Sequence, residues 1–159
     1  GLLVKRKLSF KIVIPAFIFL IALMFPFSYI HEIGHASICV GEGYSFDITV
    51  GLDGGQIVCH GDVKNQTLYK MMGGAFAMSV ALLPFAFYNK IKKYSFIVIA
   101  FGVLAIGHGI NAVIETMVFD SYMGNTQTWA MIFGLINFLI FLALCMKFSK
   151  RSLMFRNAS

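Results

Sequence analysis

Charged residues are scarce in this sequence. Only 13% of its 159 residues are charged, whereas 58% are hydrophobic, more than the core of a soluble domain of this length would bury. No Pro/Ser-rich linker or low-complexity run divides the chain, which predicts a single domain over residues 1–159. The composition therefore excludes an ordinary soluble domain and predicts one polytopic membrane domain.

Cysteines are few and irregularly spaced. Cys39, Cys59 and Cys145 form no Cys-x-x-Cys pair, and their odd number argues against a disulfide framework. Cys39 and Cys59 could pair only if the segment that contains Cys59 meets an oxidising compartment. Otherwise we interpret Cys39, which lies one turn beyond His35, as a small buried residue rather than a metal ligand.

Acidic residues are outnumbered, with 7 Asp and Glu against 13 Lys and Arg, for a formal net charge of +6. This excess does not indicate a nucleic-acid partner, because most of the basic residues lie in short segments beside apolar stretches, where membrane orientation explains them. They form a collar before the first stretch, a turn after the second and a tail after the last: Lys5, Arg6, Lys7, Lys11; Lys90, Lys92, Lys93; Lys147, Lys150, Arg151, Arg156.

Four apolar stretches are long enough to cross a bilayer as helices. We predict an all-α membrane protein with four transmembrane helices over about residues 12–40, 67–88, 94–119 and 128–148. The first is longer than a bilayer of about 30 Å requires, so it must tilt, kink at Pro26 or project beyond the lipid. Small residues in the second, including Gly73 and Gly74, favour close approach of a neighbouring helix.

The long hydrophilic segment lies between the first two spans. Two runs of alternating polarity, residues 45–50 and 56–60, flank Asp53-Gly54-Gly55. Alternation on both sides of a turn predicts a small extramembrane β-hairpin over about residues 44–61. His60 belongs to this hairpin and is interpreted as a surface residue.

The basic segments also predict an orientation. With four spans, the collar, the turn and the tail all lie on one side, which the positive-inside rule makes cytoplasmic. Both termini then lie in the cytoplasm, and the hairpin and the loop at Asp120 face outward. No cleavable signal is predicted, because the first apolar stretch carries the motif described next. We interpret Gly1, in place of Met, as a trace of processing or cloning.

That motif is His31-Glu32-Ile33-Gly34-His35. On a helix the two histidines lie four residues apart on one face, so both imidazoles can bind one zinc ion, and Glu32 is placed to take a proton from a zinc-bound water. Two His and one Glu within about 20 apolar residues are costly in lipid unless they pair, bind metal or face a wet cavity. The alternative is a histidine pair that hydrogen-bonds between helices without metal.

The third span carries a second polar group. His108, Asn111 and Glu115 are spaced three and four residues apart and share one helical stripe. Counted from the start of its span, Glu115 lies at the depth of the two histidines, so we predict it as the third zinc ligand, with Asp120 less favoured. Glu115 could instead merely neutralise a histidine. Asn111 is a candidate for binding the oxyanion, for orienting the substrate backbone or for joining helices. His108 could take the same catalytic role, but we interpret it as structural.

The sequence resembles the site-2 protease family of intramembrane zinc metalloproteases, as a short divergent branch. The resemblance covers about residues 25–120 and rests on the His31–His35 motif with the following Ala36, the Gly-rich hairpin and the helix with paired glycines. It implies a zinc metalloendopeptidase in which His31 and His35 hold the zinc and Glu32 is the catalytic base. It also implies that an edge strand of the hairpin binds an extended substrate by strand addition.

Two features depart from the family. Its third ligand is an Asp in a Leu-Asp-Gly motif that follows an Asn. Here Leu52-Asp53-Gly54 lies in the hairpin and is interpreted as a turn, the alternative being that Asp53 reaches the metal. The third span has Asn111 and Glu115 without that motif. The charge distribution also places the zinc nearer the outer face than the family would suggest.

These patterns predict an intramembrane zinc metalloprotease that hydrolyses peptide bonds of membrane-anchored or membrane-adjacent proteins within the lipid bilayer. One alternative is a non-catalytic membrane module that binds a partner, in the manner of a pseudoprotease. Another is a metal or proton transporter, suggested by the polar stripe of the third span and disfavoured by the small number of spans and the lack of an inverted repeat.

Overall fold

The computed structural model describes residues 8–52, 54–118 and 124–156. Asp53 and Asp120, both considered above as metal ligands, lie outside these ranges. In chain order the elements are α1 (Phe10–Gly41), β1 (Phe46–Gly51), β2 (Gly54–Cys59), α2 (Gln66–Leu82), a 3-10 turn (Leu83–Phe87), α3 (Tyr88–Ile91), α4 (Ser95–Met117) and α5 (Thr126–Arg156).

Four helical segments are long and apolar enough to cross a membrane: Phe10–Gly41, Gln66–Ile91, Ser95–Met117 and Gln127–Arg151. This confirms the predicted all-α membrane fold. The 32 residues of α1 form one continuous helix that includes both Pro15 and Pro26. At 1.5 Å per residue it is about 48 Å long, so it exceeds a hydrocarbon core of about 30 Å.

Helix α2 packs closely against α1 on one side and α4 on the other. A Cβ atom at Gly34 of α1 would lie 3.0 Å from the Cα atom of Gly73, and one at Gly74 would lie 2.7 Å from the Cβ atom of Ala112 on α4. Neither contact leaves room for a larger side chain. The close approach of neighbouring helices that the small residues of this helix predicted is therefore present. The consecutive glycines of α2 therefore bring all three helices together at one level.

Helix α5 packs mainly on α4 and closes the apolar core. At the end of the bundle where α1 begins, the backbone N–H of Ser9 donates to Oγ of Ser149 at 3.0 Å, and the ring of Phe17 contacts that of Phe141. The beginning of α1 and the later part of α5 therefore lie side by side. The buried core is built largely from Ala16, Leu20, Phe27, Ala77, Ala81, Ile99, Ala100, Val103, Leu104, Ala105, Phe141 and Cys145.

The predicted hairpin is confirmed. Strands β1 and β2 pair antiparallel, from Phe46 opposite Cys59 to Gly51 opposite Gly54, and the left-handed φ of +115° at Gly54 suits the glycine that follows the turn. His60 is exposed and contacts the Asp47 carboxylate at 2.6 Å, in agreement with a surface role.

A disulfide joins Cys39 of α1 to Cys59 at the end of β2. The inference that the cysteines form no disulfide framework was therefore wrong for this pair, although Cys39 is fully buried as expected and Cys145 is free. The reason is tertiary: the hairpin folds back along α1 and brings Cys59 against a residue 20 positions earlier. The spacing of cysteines along the chain does not report this contact.

Candidate metal centre

His31 and His35 lie on one face of the continuous helix α1, one turn apart, with ring centroids separated by 5.1 Å. Both are buried, with 9% and 3% of their surface exposed. Because α1 is regular here, the spacing of four residues turns both imidazoles toward α2 and α4. The paired orientation expected from the motif is confirmed.

Glu115 of α4 meets both histidines. Its Oε2 lies 3.4 Å from Nε2 of His31, and its Oε1 lies 3.3 Å from Nε2 of His35. Each residue offers one ligand atom such that all three atoms lie within 4.8 Å of one another. The structure thus brings together the three residues predicted to hold a metal, from two helices distant in sequence.

These separations are compatible with a shared metal ion. Ligand atoms at about 2.0–2.2 Å from a tetrahedral zinc lie about 3.3–3.6 Å apart, whereas an N–H of a charged imidazole approaches a carboxylate to about 2.7–2.9 Å. Oε2 of Glu115 is moreover buried without a hydrogen-bond partner among the described residues. Two imidazoles and one carboxylate form a known donor set of catalytic zinc, and their net charge leaves a +1 centre.

Gly73 of α2 leaves the space that a metal would need. A Cβ atom there would overlap the imidazole of His35 and would lie 2.7 Å from Nε2 of His31, between the two candidate ligand atoms. The backbone of α2 therefore forms a wall of the centre, and only a hydrogen atom fits at this position. The sequence indicated close helix packing at Gly73 but not this role.

Each histidine has a partner on its other ring nitrogen. Nδ1 of His35 donates to the backbone carbonyl of Tyr69 on α2, and Nδ1 of His31 lies 3.1 Å from Nδ1 of His108 on α4. Such outer contacts fix the ring orientation and leave Nε2 for the metal. The sequence could not reveal the partner of His35, because it is a backbone carbonyl. It did place His108 on the same helical face as Glu115, since the two residues are spaced by two helical turns.

Glu32 lies beside the centre, under the hairpin. Its side chain is buried, and it is close enough to His31, His35 and Glu115 to interact with their charges. A Cβ atom at Gly55 of β2 would lie 2.7 Å from Cγ and 3.2 Å from Oε1 of Glu32. The hairpin therefore rests directly on the candidate base, a contact that sequence reasoning did not anticipate.

Asn111 lies in the wall of a cavity of about 160 Å³ between α1, α4 and α5. Its Oδ1 is buried and has no hydrogen-bond partner in the part of the chain described. His108 belongs to the same wall, so the cavity begins next to the metal centre. The polar lining consists of Ser28, His108, Asn111 and Asn137.

Comparisons with known proteins add no relative: no protein-family model matches the chain, and no curated protein or solved structure is significantly similar to it. The residues of this centre therefore carry the indication of function. The geometry supports a buried cluster of His31, His35 and Glu115 that could hold a metal ion, in a protein with four candidate membrane spans.

Proposed function

We propose that this protein is an intramembrane zinc metalloprotease. The observation that carries the proposal is the centre itself, in which the Glu115 carboxylate lies 3.4 Å from Nε2 of His31 and 3.3 Å from Nε2 of His35, beside Gly73. Three protein ligands leave a fourth position of a tetrahedral ion open, which is the arrangement of catalytic rather than structural zinc.

The proposed chemistry divides between the ion and the protein. Zinc in such a site polarises a carbonyl group and makes water acidic enough to act as a nucleophile near neutral pH. Glu32 accepts the proton of the attacking water and passes it to the leaving amine as the peptide bond breaks. The amide of Asn111, on the same helical stripe as Glu115, hydrogen-bonds the substrate carbonyl where negative charge develops.

The hairpin is the proposed docking site for the peptide. Gly55 of β2 lies against Glu32, so a chain segment that adds to an edge of the hairpin runs past the base. Strand addition provides hydrogen bonds for the backbone N–H and C=O groups of the substrate. Leaving these groups without hydrogen bonds near lipid is costly. The substrate is accordingly extended where it is cut.

The proposed site lies near the extracytoplasmic surface. Ser9 and Ser149 are in contact at the end of the bundle near the basic residues Lys11 and Lys150, and the positive-inside rule assigns that end to the cytoplasm. From Ser9 to His31, α1 rises roughly 33 Å, about the thickness of the hydrocarbon core. The substrate is then a membrane-anchored or membrane-adjacent protein cut close to the outer boundary.

Purified protein in detergent or nanodiscs tests the proposal. We expect one zinc per chain and cleavage of single-span model peptides near their outer membrane boundary. Glu32→Gln should keep the zinc and abolish cleavage, whereas His35→Ala should lose both. Wild-type protein without zinc would refute the centre, and cleavage that survives Glu32→Gln would refute the assigned base. Zinc binding without cleavage would instead indicate a non-catalytic membrane module.

A further inference from the structure

His108 of α4 forms a hydrogen bond with His31, one of the two candidate histidine ligands. Its Nδ1 lies 3.1 Å from Nδ1 of His31, and the two rings are tilted by 42° with centroids 5.3 Å apart. This is a hydrogen bond between two imidazoles, one of which belongs to the metal centre. A bond between two Nδ1 atoms requires that one of them carries a proton and the other does not.

The direction of this hydrogen bond decides whether His31 can bind a metal. Nε2 of His31 is the nitrogen that faces Glu115, so it must be free of a proton to act as a ligand. The proton of the neutral ring then lies on Nδ1 and is donated to His108. In the opposite direction, His108 would donate, and the proton of a neutral His31 would occupy Nε2 and block the metal.

The surroundings of His108 favour the first direction. As the acceptor at Nδ1, a neutral His108 carries its own proton on Nε2 and needs a polar environment for it. His108 lines the 160 Å³ cavity together with Ser28, Asn111 and Asn137, and Oδ1 of Asn111 is a buried acceptor that has no hydrogen-bond partner among the residues described. A cavity of this size, with four polar side chains in an otherwise apolar wall, has room for water that links the two groups.

His35 offers a comparison within the same centre. Its Nδ1 donates to the backbone carbonyl of Tyr69, which is a fixed acceptor that no substitution of a side chain removes. His31 depends instead on a side chain from another helix. The two ligands are therefore held by different means, and one of them can be altered by mutation.

We propose that His108 is a positioning residue of the metal centre: its Nδ1 accepts a hydrogen bond from Nδ1 of His31 and so directs Nε2 of His31 to the metal. The inference rests on the proposed metal centre and assigns no chemical step to His108. It replaces the interpretation of His108 as a structural residue with a defined role, which is to fix the tautomer and orientation of one ligand.

The test compares substitutions that keep or remove the acceptor. In His108→Asn, Oδ1 of the amide takes nearly the place of Nδ1, so zinc affinity should stay close to that of the wild type. His108→Leu fills the space without an acceptor and should weaken zinc binding by about 10- to 100-fold. Met24→Leu, a change in the apolar part of the same cavity wall, should leave the affinity unchanged. Affinity is measured by competition with a chromogenic chelator.

Cobalt supplies a readout that is independent of activity. The visible spectrum of Co²⁺ reports ligand geometry, so it should match the wild type in His108→Asn and differ in His108→Leu. If His108→Leu does not fold, His108→Gln replaces it, because its amide lies one bond farther out, at the position of Nε2, and should not restore the affinity.

The outcomes separate this inference from the metal centre itself. The role of His108 would be overturned, and the centre left intact, if the wild type binds zinc and His108→Leu binds it equally tightly. Equal zinc affinities of His108→Asn and His108→Gln would have the same meaning. A wild type that binds no zinc would overturn both. The expected ranking, with Asn like the wild type and Leu and Gln weaker, supports the proposed hydrogen bond.

Discussion

Gly73 lies so close to His35 that a Cβ atom at Gly73 would overlap the imidazole. The same Cβ would lie 2.7 Å from Nε2 of His31, so the space it would take is the space between the two candidate ligand atoms. A glycine that serves helix packing in most membrane proteins here also leaves room for an ion. The backbone of α2 is therefore part of the candidate metal centre.

Gly73→Ala should abolish zinc binding, because the methyl group enters the space between the histidines. The matched control is Gly134→Ala in α5, where a Cβ atom meets nothing within 4 Å. Zinc content of both variants is measured together with their thermal unfolding. Gly73→Ala protein that unfolds like the wild type but lacks zinc supports the centre, whereas full zinc content in this variant would contradict it.

Glu115→Gln should weaken zinc binding by more than the 10- to 100-fold effect typical of an outer partner, because it removes the negative charge of a direct ligand. Asp120→Asn, which changes the alternative third ligand, should leave the zinc content unchanged. Chelator competition measures both. Loss of zinc in Asp120→Asn with retention in Glu115→Gln would reverse the assignment.

Gly55→Ala should reduce kcat/KM while zinc stays bound. The added Cβ atom would lie 2.7 Å from Cγ of Glu32, so either the hairpin or the base must shift. A displacement of about 1 Å in a catalytic group costs up to roughly 100-fold in rate. Gly41→Ala, where a Cβ atom meets nothing within 4 Å, is the control. Equal cleavage rates in the two variants would argue against the contact between hairpin and base.

Cys59→Ser should lower the free energy of unfolding by about 3 kcal/mol, because the disulfide closes a loop with a sequence separation of 20 residues. Reductant should lower the stability of the wild type to that of the variant and leave the variant unchanged. Denaturant unfolding in detergent measures the difference, with Cys145→Ala as the control. Alkylation of Cys39 and Cys59 in unreduced wild-type protein would show that the bond is absent.

The sequence determined the elements and most of the candidate site. Long apolar stretches in a sequence poor in charge fixed four membrane helices, and alternation around a glycine turn fixed the hairpin. The spacing of His31 and His35 placed two imidazoles on one helical face, and counting depth and phase along the third span selected Glu115. All of these follow from periodicity and length, which are local properties of the chain.

The tertiary structure decided how these elements meet. The contacts between His31 and His108, between Gly55 and Glu32, and between Cys39 and Cys59 depend on the rotation and translation of one element against another. In a membrane helix that is apolar on most faces, the sequence pattern does not specify that rotation, because lipid and protein neighbours are equally apolar. In the structure α1 and α4 both pack closely against the paired glycines of α2, and these contacts define the geometry of the candidate metal centre.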